Sequence, residues 1–74
     1  MAKLPTAISD SQLRRALERV GFVMTRQRGS HMIMHRSNPK VRIVVPNHRT
    51  LKPGTLHHIL NEAGLSAEQL LRLL

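Results

Sequence analysis

Residues Phe22–Pro46 read FVMTRQRGSHMIMHRSNPKVRIVVP, and the fold follows from how this stretch divides. Val41–Val45 is the clearest strand, rich in β-branched residues that fit a pleated, half-buried surface. Ser37-Asn38-Pro39-Lys40 ahead of it carries turn chemistry. His31–His35 reads as a second strand, Arg28-Gly29-Ser30 as a tight connection, and Phe22–Gln27 as a first strand. Pro46 ends the run, since proline cannot donate to a continuing ladder. Three strands joined by short links predict an antiparallel meander.

The flanks read as helices. Ser9 and Gln12 have the spacing of a capping box, so a helix begins near Asp10. Leu13, Ala16, Leu17 and Val20 recur at i, i+3, i+4 and i+7 as one apolar stripe, with Arg14, Arg15 and Glu18 facing out. Gly21 is placed to terminate this helix. Beyond the strands, a loop over Asn47–Leu51 leads to Pro53, the residue type favoured at a first helical position. Leu56, Ile59, Leu60 and Ala63 make the second stripe, and Gly64 ends it. Ser66 and Gln69 repeat the capping-box spacing and open a short last helix through Leu74. Met1–Ile8 reads as an N-terminal arm. The order is α-β-β-β-α plus a terminal helix, an α+β fold with helices packed on one face of a three-stranded antiparallel sheet. Met32 and Met34 alternate with His31, Ile33 and His35, and because both sets contain apolar residues the inward face stays open.

At 74 residues the chain is expected to be one domain, with room for one sheet and a few helices but little for an enclosed pocket. Any site should therefore be an open groove suited to a polymer or a protein. Cysteine is absent, which removes disulfides and thiolate metal sites. No stretch resembles a signal peptide or a membrane span, so the cytoplasm is the expected location.

Charge is more telling. Twelve Lys+Arg oppose four Asp+Glu, a formal net charge of +8. Nine of the twelve are arginine, whose planar fork grips phosphate in a bidentate way that lysine cannot. Such an excess points to a polyanionic partner, nucleic acid first and an acidic protein second. Phe22 is the sole Phe, Tyr or Trp, which argues against a single-strand binder built on aromatic stacking platforms. Contact should run through the phosphate backbone.

Within that charge, Arg26-Gln27-Arg28-Gly29-Ser30-His31 gathers two guanidinium groups, a glycine and an imidazole. Cleaving an RNA phosphodiester needs these kinds of group. The 2′-hydroxyl is the nucleophile, so the protein must supply a base, an acid and positive charge for the crowded phosphorus. Imidazole titrates near neutral pH and serves either proton-transfer role. Gly-Ser-His-Met also arises as the remnant of a cleaved expression tag, but such a remnant lies at a chain start and this one is internal. On position alone His31 reads as either catalytic or merely surface. Arg26 and Arg28 share one side of a regular first strand, as phosphate ligands or as charges guarding a sheet edge. Ser30 reads as a phosphate donor or a turn residue, and His48 as a second proton carrier or a loop residue shaping the next helix. His35 reads as strand-end surface; His57 and His58 are helix neighbours that point about 100° apart and cannot act as a pair. His31 and His35 stand roughly 13 Å apart along a strand, too far for one zinc ion with bonds near 2.0–2.1 Å. No metal and no cofactor is expected.

The ordered series of motifs resembles the HicA toxins of bacterial toxin–antitoxin pairs. The matching residues are Leu17 with Gly21-Phe22, Arg26 with Gly29-Ser30-His31, Val45-Pro46 with His48, Lys52-Pro53-Gly54-Thr55-Leu56, Ile59-Leu60, and Ala63-Gly64-Leu65-Ser66. The resemblance runs from about Ser9 to Leu74. It implies a fold like that of double-stranded-RNA-binding domains, an endoribonuclease acting on mRNA, and neutralisation by a HicB-type antitoxin. The family's catalytic histidine, in its Gly-Ser-His motif, falls on His31. Double-stranded-RNA-binding domains carry a lysine cluster at the start of the second helix, and here only Lys52 stands there, which weakens a passive duplex-binding role. The resulting expectation is a metal-independent endoribonuclease toxin with His31 as its catalytic group and Arg26, Arg28, Ser30, His48 and Lys52 as its RNA contacts. The alternative is a non-catalytic RNA-binding module of the same fold, and a third reading is an interaction domain for an acidic protein.

Overall fold

The structure, a computed structural model, describes residues 7–74; of the arm expected over Met1–Ile8, residues 1–6 lie outside the described residues. The element order is α1 (Asp10–Arg19), β1 (Val23–Arg28), β2 (His31–Ser37), β3 (Lys40–Pro46), α2 (Pro53–Ala63) and α3 (Ala67–Leu73). The strands form one antiparallel sheet in the order β1-β2-β3. This is the expected α+β arrangement, consistent with a double-stranded-RNA-binding-domain-like fold.

Local chemistry sets the boundaries. Both predicted capping boxes form: the Ser9 hydroxyl accepts from the Gln12 N–H and the Gln12 side chain accepts from the Ser9 N–H, and Ser66 and Gln69 do the same for α3. At the end of α1 the chain turns through Gly21, whose φ of +96° an L side chain rarely adopts. The Phe22 N–H then donates to the Leu17 carbonyl at 3.1 Å, which aims the Phe22 ring into the core before β1 begins. Phe22 is thus a core residue ahead of the strand rather than its first member. Pairing extends further into the turns than composition suggested. Arg28 faces His31 and Ser37 faces Lys40, so the connections shrink to Gly29-Ser30 and Asn38-Pro39.

The sheet register resolves the question that alternation left open. Met32 and Met34 on β2 and Ile43 and Val45 on β3 are buried, and they meet Leu13, Ala16 and Leu17 of α1 and Leu56, Ile59, Leu60 and Ala63 of α2 in one core. Ile8, at the inner end of the expected arm, is buried in the same cluster, and its carbonyl accepts from the Leu51 N–H at 2.8 Å. His31, Ile33 and His35 consequently face away from the helices.

Two basic residues depart from the simple pattern. Arg14, expected to face out, is half-buried, and its Nε is shielded from solvent without a hydrogen-bond partner among the described residues. Arg36 lies on the inner side of β2. Its guanidinium sits 4.7 Å from the centroid of the Phe22 ring, and its Nε donates to the Pro39 carbonyl at 3.3 Å.

Candidate active site

The outer face of the sheet is a grid fixed by strand register. One row crosses Arg28, His31 and Pro46, the next Arg26, Ile33 and Val44, and the third Val23, His35 and Arg42. Arg26 and Arg28 do share a face, as alternation requires, but β1 is not regular throughout. The register shifts between Met24 and Arg26, so Thr25 is an extra residue opposite β2. The bulge lies upstream of both arginines and leaves their alternation intact.

His31 is exposed and opens β2 immediately after the Gly29-Ser30 turn. Gly29 has φ +57° at the first central position of this two-residue hairpin loop, where a II′-type turn takes glycine. The turn is tied to the far side of the sheet: the Asn47 N–H donates to the Ser30 carbonyl at 2.6 Å. Ser30 therefore fixes the turn through its backbone, and its side chain remains exposed. The next residue, His48, is held through its own carbonyl, which accepts from the Asp10 N–H at 3.1 Å at the start of α1. His48 and Lys52 then line one open groove together with Pro46, Leu51 and Thr55. Pro46 is both a wall of that groove and the cross-strand partner of His31. The fold thus gathers Arg28, Ser30, His31, His48 and Lys52 at one end of the sheet, with Arg26 one row further in.

The turn's geometry has a testable consequence. A Cβ on Gly29 would meet nothing within 4 Å, so Gly29→Ala is strained only through the positive φ. It should cost about 1 kcal/mol in urea denaturation.

The electrostatics are one-sided. Among the described residues no arginine or lysine lies within 4.0 Å of a carboxylate; the pair found is His58–Glu62 at 3.2 Å, on α2 away from the sheet. His57 and His58 are both exposed helix surface. No group of three His, Cys, Asp or Glu among the described residues is arranged to hold a metal ion. No described helix is long and apolar enough to cross a membrane.

The sequence marks His35 only as strand-end surface and does not single out Arg42 or Thr25. All three border a shallow depression on the outer face with Arg26 and Ile33. Alternation alone hinted at His35, which follows His31 at an even spacing, but Arg42 could be found only from the β2–β3 register.

An open sheet carrying arginine and histidine on one face and helices on the other defines a basic α+β domain. The family model described as the HicA toxin of bacterial toxin–antitoxin systems matches residues 11–65, and the chain belongs to this family. It is accordingly a toxin of the toxin–antitoxin class, which implies an antitoxin partner. A search of curated proteins finds no match to the chain.

Proposed function

We propose that this toxin is a single-domain, metal-independent endoribonuclease that cleaves mRNA in the cytoplasm and is neutralised by a HicB-type antitoxin. The observation that carries the reading is the setting of His31. It is an exposed imidazole at a fixed hairpin end, opposite Arg28 and Pro46, beside the groove bordered by His48 and Lys52. Family membership adds independent support.

The chemistry requires one proton to leave the 2′-hydroxyl as O2′ bonds to phosphorus, and one to reach O5′ as the P–O5′ bond breaks. His31 carries one of these protons. His48 is the candidate for the other, because its backbone is pinned at the same end of the sheet. Arg28 and Lys52 offset the charge of the scissile phosphate, which is largest in the transition state, Arg26 grips the backbone one row further in, and the Ser30 hydroxyl is available as a neutral donor. None of these roles uses a metal ion. The antitoxin would neutralise the toxin by covering the same basic end with an acidic surface.

The test is cleavage of single-stranded RNA by the purified protein with and without EDTA. The expected result is cleavage at the same rate in both. A rate that collapses with EDTA and returns with added divalent ion overturns metal independence, and binding without cleavage leaves only the RNA-binding module.

A further inference from the structure

All four acidic residues of the chain lie on helices: Asp10 and Glu18 on α1, Glu62 on α2 and Glu68 on α3. The helices cover the inner face of the sheet, so the outer face carries no carboxylate. It carries Arg26, Arg28 and Arg42 with His31 and His35. This is more positive charge than one scissile phosphate needs, and much of it stands away from His31. The row of His35 and Arg42 is two rows from His31, roughly 13 Å at 3.3 Å per residue.

The far rows also have shape. The bulge at Thr25 brings Thr25 and Arg26 to one wall of a depression whose floor is half-buried Ile33 and whose opposite wall is His35 and Arg42. Thr25 Oγ1 donates to the Ile33 carbonyl at 3.4 Å, which steadies the bulged side. Val23 and Val44 flank the depression, 61% and 36% exposed, and offer apolar surface beside the charges.

We infer that this depression is a second phosphate subsite, in which Arg26 and Arg42 clamp the RNA backbone away from the cleaved bond, with the His35 imidazole beside them as a further ring N–H donor. The inference rests on the RNA-cleaving reading and extends it by naming where the strand runs after leaving His31. A span of roughly 13 Å accommodates about four stacked nucleotides at ~3.4 Å each, or fewer extended ones. RNA is favoured over an acidic protein because the charges continue in register from the row of His31. Arginine's fork also matches phosphate, and a backbone track needs no aromatic platform. Arg36 takes no part, since it lies on the inner side against Phe22.

The test measures RNA affinity against salt in His31→Ala protein, so that binding is read without cleavage, using unstructured strands of about 4 and about 16 nucleotides. Adding Arg42→Ala should weaken binding of the longer strand several-fold and reduce the slope of log affinity against log salt by about 0.7, the share of one single-strand phosphate contact. Arg42→Lys should restore most of the slope. The melting temperature, unchanged across the variants, certifies that the fold is intact. A slope that does not move with Arg42→Ala overturns the subsite. So does a loss of affinity for polyglutamate as large as the loss for RNA, which assigns the face to an acidic protein. Cleavage by the wild-type protein is scored separately, so the subsite can fail while the endonuclease reading stands, and the reverse.

Discussion

His31→Ala should lower RNA cleavage by about 10²–10⁴-fold, the usual contribution of a positioned general acid or base. At 1.36 kcal/mol per tenfold, that is a barrier higher by about 3–5 kcal/mol. The side chain is exposed and makes no hydrogen bond to the described residues, so its removal should change folding stability by no more than about 0.5 kcal/mol. Catalytic loss without unfolding is therefore the diagnostic pattern, read by single-turnover cleavage next to urea denaturation. His48→Ala discriminates the role of the second imidazole. If His31 and His48 hand protons on and off the same phosphate, the double variant should be little worse than the more damaged single one, because groups acting as a unit are strongly non-additive. Equal cleavage by wild type and His31→Ala would remove the histidine from the mechanism.

The proposed chemistry suits a small basic domain because of how charge and burial are segregated. The acids sit on the helical layer and the outward arginines on the opposite side of the sheet, so the field at His31 is not cancelled by neighbouring carboxylates. Pinning the hairpin to the loop after β3, through the 2.6 Å bond from Asn47 to Ser30, holds two distant stretches of chain in one place. Preorganised charge in a fixed position is what stabilises a phosphorane; charge on a mobile tail does it poorly.

Much of the fold is legible in the sequence. Capping boxes, glycine terminators and apolar stripes specify α1, α2 and α3 through local chemistry, and both capping boxes form as the spacing required. β3 was equally plain, because Val41–Val45 has few alternatives. β2 was not, since Met32, Ile33 and Met34 are apolar on both faces and only packing against the helices decides which face is buried. β1 was harder still: its residues are exposed throughout, and neither the bulge nor the burial of Phe22 leaves a periodic trace. Within the site, the Arg26–His31 run was visible because its members are adjacent in sequence. The approach of His48 to the hairpin depends on a long-range backbone bond, and the facing of Arg42 depends on register. Arg14 and Arg36 show the limit of reading charge alone, for both count toward the basic excess while one is half-buried and the other lies over an aromatic ring.

Phe22→Ala should be the most damaging single change to the fold. The ring is 1% exposed and shares the core with Leu17 of α1 and the inner face of the sheet. Truncating a buried phenylalanine costs about 3–5 kcal/mol. A chain of this length has only about 4–11 kcal/mol of total stability at 0.05–0.15 kcal/mol per residue, so the loss removes from about a quarter to all of it and should lower the urea midpoint more than any other single change. Phe22→Leu retains most of the apolar volume and should lose less, which circular dichroism and urea titration would resolve. The ring also supports Arg36, whose guanidinium lies 4.7 Å from its centroid. Arg36→Ala should therefore cost about 0.5–1 kcal/mol of stability from the lost ring contact, and should cost less once Phe22 is already leucine, leaving the part carried by its hydrogen bond to the Pro39 carbonyl. This separates two kinds of arginine on one small sheet. Removing Arg36 should shift the urea midpoint and leave the salt dependence of RNA binding alone, whereas removing Arg42 should do the opposite. If Arg36→Ala altered the salt slope as strongly as Arg42→Ala, RNA would be sensing net charge rather than the outer face, and the division of labour between the two sides of the sheet would fall.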